Sequence, residues 1–559
     1  MQGDKKPNTD TKMDSESSDF EDCEMTGEND LSLTEKIFPS CSSSSSASGS
    51  DGERTEVEDS DNDSGFVGNS QGSLDRLDTV TPDLKNETEE SRASEPMEIN
   101  GIYNRNAILR NLTNFKSIAE AHSVYLDMLN LGRRARSNEE PSKIEQLTDE
   151  EFLAKLKLPE FQDIAIESTR DYLKAIPDTL LHLLTGRHRP GDCGRPADEK
   201  PEWLDMEKFK RGQKFAQDYL VPVYFAEMIS LMALFSFDDG LKPLILSGKS
   251  STPFTAFQRY LSTGLRIRNW YTQDIWAKNS DARKDILTVR IKHAAMRRKI
   301  EAMTNEEIDA AATIPKPCCP LRETLLKDFS ETCEAPVTGQ CPFIEMKNNP
   351  NRHKGMNQAD MAITQWGFIG LITSYPKSFG VHYATDEDLE DFLHLWRVLG
   401  YALGLEDEYN FCRGTLQDVR RRSADFIETW VKPNLRIITP EWEHMMRSVV
   451  TGLNVYFPGG SYECALLYLT EVLDIRTPRF SASLSYRDWI SHNLSKSLFN
   501  YTIKLPGVLS SLNFVLNRSL DRAAKYTPED LEKIRVKLAG CPASDISGTK
   551  KNNVNVLAN

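Results

Sequence analysis

Apolar residues recur at intervals of three and four along most of the chain from residue 101 to 540, and strand-like alternation is scarce. This spacing places apolar side chains on one face of a helix, so it predicts a chain built from amphipathic helices. Helix-start signals accompany the pattern at Thr148 with Glu151, at Pro253, at Thr304 with Glu307 and at Thr385 with Asp388. We therefore predict a single large all-α domain over residues 101–540.

The flanking segments differ from this domain in composition. Residues 1–100 are rich in serine and acidic residues and poor in aromatic residues, which predicts a disordered acidic arm. Residues 541–559 are a polar tail. Residues 1–95 contain 8 Lys and Arg against 25 Asp and Glu, a charge of −17, so the other 464 residues carry +1 of the total of −16. A nearly neutral body argues against a basic nucleic-acid groove, and we expect no nucleic-acid partner.

The N-terminus contains no apolar leader, and the ten cysteines are scattered through the chain. Both features predict a reducing compartment, with a cytoplasmic location as the expectation and association with the endoplasmic-reticulum membrane as the alternative. The most apolar run is Tyr219 to Phe237, which is about long enough to cross a bilayer but contains Pro222 and Glu227. We interpret it as a buried core helix, with a membrane anchor as the alternative.

A segment from Ala312 to Lys354 is rich in proline, asparagine and cysteine and is predicted to be a long loop. It contains four cysteines, at positions 318, 319, 333 and 341. Their spacing lacks the paired C-x2-C knuckles of structural zinc sites, so reduced loop cysteines are the preferred interpretation.

The helix predicted from Asp281 to Ile300 has an unusual apolar stripe. His293 lies in the middle of this stripe, with Arg290 three residues before it and Arg297 four residues after it. An inward-facing imidazole with two guanidinium groups beside it is suited to an iron porphyrin, because imidazole binds iron and guanidinium matches the propionate carboxylates. The alternative is a core histidine with satisfied hydrogen bonds on an otherwise solvated basic helix.

The preceding helix carries Arg259, Thr263 and Arg266 on one face. These side chains are suited to a cofactor, where they would polarise a bound ligand or anchor a propionate. In the alternative interpretation the two arginines face solvent, and the Thr263 hydroxyl donates to the carbonyl four residues earlier. Common catalytic signatures are absent, namely G-x-x-x-x-G-K-[ST], G-x-S-x-G and H-E-x-x-H, and so is the covalent haem motif C-x-x-C-H.

The order R-x-x-x-T, then R-x-x-H-A-x-x-R, then NQADMAITQWGF, PKSFGV and LHLWRVLGYALGLEDEYN resembles the catalytic domain shared by the rubber oxygenases (latex-clearing proteins) and the MpaB-type endoplasmic-reticulum oxygenases of fungi. The resemblance is best over residues 205–430. It implies a globin-like helical bundle that holds one non-covalent haem b.

By this resemblance, His293 is the proximal ligand to the haem iron, and Arg259 and Thr263 are catalytic residues on the distal side. Arg290, Arg297 and Arg266 are then expected to bind the cofactor. Ser262 stands where the rubber oxygenases have a distal lysine, which predicts a sixth iron position that this residue does not fill.

The reaction implied by the resemblance is oxidative cleavage of a carbon–carbon double bond in an apolar, isoprenoid-type substrate, with dioxygen as the oxidant. Five aromatic residues are candidates for lining an apolar channel: Phe225, Phe235, Phe237, Trp366 and Phe368. The competing hypothesis is a catalytically silent member of the family that serves as a haem-binding, scaffold or regulatory protein. The oligomeric state does not follow from the sequence.

Overall fold

Capped amphipathic helices account for most of the described chain, which confirms the all-α prediction. The computed structural model describes residues 98–99, 102–103, 176–336, 341–345, 353–457 and 460–546. Within these residues, β-structure is limited to a two-residue antiparallel pair, Glu98–Ile99 with Ile102–Tyr103, and one isolated bridge. The predicted acidic arm lies outside the described residues except for Glu98–Ile99, and most of the predicted polar tail also lies outside them.

The helices are α1 (Asp178–Thr185), α2 (Met206–Asp218), α3 (Leu220–Leu234), α4 (Asp238–Leu246), α5 (Pro253–Thr272), α6 (Asp281–Glu301), α7 (Asn305–Ala311), α8 (Arg322–Thr332), α9 (Pro342–Glu345), α10 (Gln358–Ser374), α11 (Asp386–Ala402), α12 (Leu416–Phe426), α13 (Lys432–Leu435), α14 (Pro440–Leu453), α15 (Tyr462–Val472), α16 (Pro478–Ser483), α17 (Tyr486–Asn500), α18 (Val508–Ala523) and α19 (Pro528–Ala539). A π-helical turn, Ile427–Val431, joins α12 to α13. Shorter 3₁₀ turns are Gly186–His188, Pro376–Phe379, Asp407–Tyr409, Thr502–Lys504 and Pro542–Ser544.

The predicted starts of helices agree with the structure wherever it describes them. Thr304 and Thr385 each form a reciprocal capping box, and Pro253 opens α5. Helix α6 spans Asp281–Glu301, one residue longer than predicted. The box predicted at Thr148 and Glu151 lies outside the described residues.

The centre of the fold is formed by α3 and α10, which pack against each other. The apolar run that contains α3 is buried almost throughout, as expected for a core helix. Within the described residues, no single helix is long and apolar enough to cross a membrane. Helices α3 and α4 meet the length and composition requirement only as a pair, with a bend of 104° between them.

Two closely packed helix pairs flank this centre: α2 with α11, and α5 with α14. Glycine permits each close approach. A Cβ atom on Gly212 would lie 2.2 Å from the carbonyl oxygen of Asp391, and one on Gly452 would lie 2.6 Å from the backbone nitrogen of Phe257. Helix α6 packs on α5, so this framework also positions the helix that carries His293.

The loop prediction for residues 312–354 is wrong in part, because α8 and α9 lie inside it. Two residues of α8 one turn apart, Leu325 and Phe329, are fully buried. Between them in sequence, the Asp328 carboxylate accepts the backbone N–H of Phe480 at 2.8 Å, at the start of α16. Tertiary contacts of this kind stabilise a helix whose surrounding sequence favours a loop.

Candidate functional site

Helices α5 and α6 run antiparallel, and this brings the two predicted motifs together. At one end of the pair, Arg266 on α5 lies 3.2 Å from the Asp285 carboxylate on α6. At the other end, Arg259 on α5 is close enough to His293 on α6 for its charge to lower the histidine pKa. The arginine and threonine face of α5 is therefore directed toward α6.

His293 is partly buried, and its ring nitrogen Nδ1 has no hydrogen-bond partner among the residues that the structure describes. Burial lowers its pKa to about 4, and the positive charges of Arg259 and Arg297 act in the same direction. The nearby Asp192 carboxylate opposes this shift without cancelling it. At neutral pH the side chain is therefore an uncharged imidazole with an unpaired nitrogen, which is the form that binds a metal.

Arg290 is occupied by a carboxylate from the same chain. Its Nε and Nη2 groups donate to Asp192 at 2.8 and 2.7 Å, and both side chains are almost fully buried, at 4% and 3% exposed. Asp192 lies in the loop after α1, and Gly404 with a φ of +95° leaves room for its carboxylate. This pair ties the loop to α6 beside His293 and neutralises the Arg290 charge.

Arg266 is held in a second polar cluster. It pairs with Asp285, which also accepts a hydrogen bond from the Asn269 amide at 2.8 Å. The Ser262 hydroxyl accepts from the Arg266 guanidinium. The Ser262 side chain is thus held along α5 by its neighbour one turn away.

Three of the predicted site residues, Arg259, Thr263 and Arg297, are not held by a close carboxylate among the described residues. Arg259 lies over the ring of Tyr260, with 4.9 Å from its Cζ atom to the ring centroid, and pairs with no carboxylate among the described residues. The Thr263 hydroxyl forms no hydrogen bond there either, so the expected bond to the carbonyl four residues earlier is not observed. Arg297 has only a distant contact with Glu301, at 4.0 Å.

Glu227 gives α3 a polar group that points toward α5. The Tyr271 hydroxyl on α5 donates to its carboxylate at 3.1 Å, and burial raises the pKa of Glu227 to about 8. The residue as a whole is only partly exposed. Glu227 therefore brings a desolvated carboxyl group between α3 and α5.

Tyrosine side chains connect Glu227 to the arginine end of α5. Tyr224, one turn before Glu227, donates to the carbonyl of Gly264 at 2.6 Å. Burial raises the pKa of Tyr456, on the segment after α14, and the nearby Tyr224, Tyr260 and Glu227 side chains act in the same direction. Helices α3 and α5 and the turn after α14 therefore converge on this region from different parts of the sequence.

The predicted haem-binding residues divide into two groups. His293 fits a haem ligand because it is neutral and has an unpaired nitrogen, and Arg259 and Arg297 fit propionate partners because no close carboxylate in the described part of the chain neutralises them. Arg290 and Arg266 fit that role poorly, since Asp192 and Asp285 already satisfy their charges. Asp192 and Asp285 are the residues that sequence reasoning missed.

Four of the five candidate channel residues pack against other aromatic rings. Phe225 stacks on Phe499 at 4.2 Å between ring centroids, and Phe368 stacks on Trp396 at 4.3 Å. Phe237 and Trp366 both contact Phe426. These contacts are those of ordinary core packing, and a channel remains a prediction.

The other histidines and the loop cysteines have structural partners. His394 accepts the backbone N–H of Asp205 at 3.1 Å, and His382 contacts the carbonyl of Phe499 at 2.7 Å. Cys341 accepts from the Asn434 amide, and the described cysteines are all free thiols. Among the described residues, no group of three or more His, Cys, Asp or Glu side chains is arranged to hold a metal ion.

Comparisons with known proteins give one structural likeness. No family model matches the chain, and no curated protein matches it. Among solved structures, the latex clearing protein LCP in its closed state is similar, with a TM-score of 0.35 and 17% sequence identity. The match covers 58% of this chain and 76% of that chain. A likeness at this level carries no conclusion about activity.

Proposed function

We propose that this protein is a haem b-dependent oxygenase of the rubber-oxygenase and MpaB type. Its substrate would be an apolar molecule of the isoprenoid class, and dioxygen its co-substrate. The observation that carries the proposal is His293, a neutral imidazole with a buried nitrogen that is unpaired within the described residues, beside two guanidinium groups that lack close carboxylate partners there. The order of motifs over residues 205–430 supports the same family.

Each of the site residues would have a separate role. His293 would hold the haem iron, and Arg259 and Arg297 would bind the propionates. Haem, when bound, supplies an iron that binds and activates dioxygen. The free Thr263 hydroxyl can donate a hydrogen bond to a polar ligand, and Glu227, protonated at neutral pH, can hold or release a proton inside the fold. Buried aromatic residues exclude water from this region.

The overall reaction balances without an external reductant. One carbon–carbon double bond and one dioxygen molecule yield two carbonyl groups, each of which contains one oxygen atom from dioxygen. A cytoplasmic location, with association with the endoplasmic-reticulum membrane as the alternative, belongs to the same proposal. Nucleic acid has no role in it.

A catalytically silent haem-binding, scaffold or regulatory protein is the second candidate. Ser262 favours it, because a hydroxyl held by Arg266 cannot replace the amine that the rubber oxygenases have at this position. Under this alternative haem would still bind to His293, but dioxygen would not be consumed. The two candidates therefore differ in a measurable activity.

Haem binding is tested by titrating the full chain with haem and recording the visible spectrum. We expect a Soret band that saturates at one haem per chain and is lost or shifted in His293→Ala. His394→Ala is the matched control, since this histidine only accepts the backbone N–H of Asp205, the N-cap residue of α2, and its loss should leave the band unchanged. No band in the wild type, or the same band in His293→Ala, would refute the assignment.

Activity is tested by oxygen consumption and carbonyl product formation with unsaturated isoprenoids of several chain lengths. We expect Thr263→Val to retain the Soret band and lose turnover, because it removes the hydroxyl at nearly constant volume. Haem binding without oxygen consumption at every chain length would favour the silent protein.

A further inference from the structure

Helix α17 exposes large apolar side chains on the face that points away from the fold. Tyr486, Trp489, Ile490 and Leu494 lie at helical spacing on this face and are 77%, 53%, 37% and 64% exposed. Beyond the helix end, Tyr501 and Leu505 are 70% and 58% exposed. These six residues are here called the α17 patch. They form a cluster, whereas exposed apolar residues on a protein surface usually occur singly.

The opposite face of α17 is firmly anchored, so the exposure does not reflect a loosely attached helix. Phe499 is buried and stacks on Phe225 of α3. His492 is buried, with its Nε2 3.1 Å from the Glu471 carboxylate on α15. Lys496 reaches the same carboxylate at 2.8 Å. The helix thus has a well-packed inner face and an apolar outer face.

Within the segment that carries the α17 patch, basic side chains outnumber acidic ones. Residues 485–505 contain three basic side chains and one acidic side chain. The acidic one, Asp488, accepts the Ser485 hydroxyl at the helix start, and Lys496 is paired with Glu471. Arg487 has no carboxylate partner among the described residues, and Lys504 lies over the Tyr501 ring at 5.6 Å. Two cations therefore accompany the apolar side chains without neutralisation.

We infer that the α17 patch is a docking surface for an anionic lipid membrane. Trp and Tyr side chains favour the lipid–water boundary because each has an apolar ring and a polar group. A helix with such residues on one face, and Lys or Arg beside it, lies in the plane of the membrane interface. Arg487 and Lys504 would add attraction to negatively charged headgroups.

Other occupants fit the patch less well. In a two-fold symmetric dimer the same patch lies on both sides of the interface, which would bring Arg487 and Lys504 of each copy toward like charges. A peptide partner usually docks in a groove, whereas the outer face of a single helix is convex. The inference does not depend on the proposed oxygenase activity, since it concerns a surface away from His293.

The test is co-sedimentation of the full chain with vesicles of phosphatidylcholine alone or mixed with phosphatidylserine. We expect binding to the mixed vesicles, weaker binding to the neutral ones, and loss of the difference at high salt. Trp489→Ser combined with Leu494→Ser should lower the partition coefficient about tenfold or more. Val536→Ser on α19, which changes a side chain that is 63% exposed, is the matched control and should bind as the wild type does.

Arg487→Gln combined with Lys504→Gln should remove the preference for phosphatidylserine and leave weak binding to both vesicles. Hydrogen exchange should slow at residues 486–505 when mixed vesicles are added. Unchanged binding of the Trp489 and Leu494 variant would overturn the inference, and so would protection elsewhere in the chain. Self-association of the wild type that this variant abolishes, without vesicle binding, would identify the patch as an interface between copies and also overturn it.

Discussion

A histidine that is buried beside two guanidinium groups strongly prefers its neutral form. For His293 the pKa falls to about 4 in the folded chain, from an ordinary value of 6.5. Between these values the unfolded chain binds a proton that the folded chain does not. Stability from this residue is therefore complete above pH 6.5 and decreases as the pH falls toward 4.

This difference can be measured in the haem-free protein. The wild type should lose up to about 3 kcal/mol of unfolding free energy between pH 7 and pH 4 through His293 alone. His293→Gln, which stays neutral, should show a smaller slope in urea unfolding over this range. The unfolding free energies of the two proteins should change in parallel between pH 7 and pH 9, where His293 does not titrate. Equal slopes below pH 6.5 would contradict the assigned burial.

Glu227 gives a prediction of the opposite sign. Burial raises its pKa to about 8 in the folded chain from 4.5, so the folded state holds a proton that the unfolded state releases above pH 4.5. Its ionisation thus destabilises the fold as the pH rises toward 8. Glu227→Gln should be more stable than the wild type at pH 8, by up to about 5 kcal/mol, and the gain should shrink toward pH 5. A constant difference at all pH values would show that packing, not ionisation, separates the two proteins.

At this scale the sequence shows which side chains are unusual but not which are already satisfied. His293 is recognisable because a polar residue interrupts an apolar stripe. The pairing of Arg290 cannot be recognised in the same way, because its partner Asp192 lies 98 residues away in a loop of glycine and proline. The periodicity of apolar residues describes a single helix, whereas the pairing of a side chain depends on which residues of other elements pack against that helix.

Between elements, the Asp192 and Arg290 pair joins the loop after α1 to α6. Removing one charge from a buried pair leaves the other unpaired, which costs about 3–5 kcal/mol. Asp192→Asn should therefore lower the unfolding free energy by about this amount, measured by urea denaturation at pH 7. Asp192→Asn combined with Arg290→Met should recover part of the loss. A double variant that is as unstable as the sum of the two single changes would indicate that the residues do not act as a pair.

The close helix crossings depend on glycine. Alanine normally favours a helix over glycine by about 1 kcal/mol, so a glycine-to-alanine change usually stabilises. Gly212→Ala and Gly452→Ala should instead destabilise by about 2 kcal/mol or more, because the new Cβ would collide with the backbone of the facing helix. Gly540→Ala, at the end of α19 with its nearest contact at 3.7 Å, is the control and should be neutral. Thermal unfolding of the three variants would distinguish these outcomes.

Helix starts were predictable because a capping box is a local interaction between residues three apart. Helix α8 was not, because its apolar residues and Asp328 form their contacts with helices far along the chain. The proline and cysteine around it favour a loop locally. Tertiary packing outweighs that local preference.

On the scale of the whole molecule, the all-α class follows from a pattern that is repeated along the sequence, and many local signals agree. The site is different, because α3, α5, α6 and the loop after α1 meet there only once the chain is folded. The domain boundary at residue 101 remains a prediction, since residues 104–175 lie outside the described ranges. Catalytic activity also remains a proposal, because it depends on a bound cofactor.

A ligand that binds the folded chain and not the unfolded one raises the stability of the whole domain by mass action. At a free haem concentration of 100 times Kd the gain is about 2.7 kcal/mol, which corresponds to a rise of about 3 °C in Tm for a domain of this size. We expect this rise for the wild type and for His394→Ala, and none for His293→Ala. Non-specific haem adsorption would stabilise all three proteins equally or none of them. An equal rise in His293→Ala would therefore exclude this helix as the binding site.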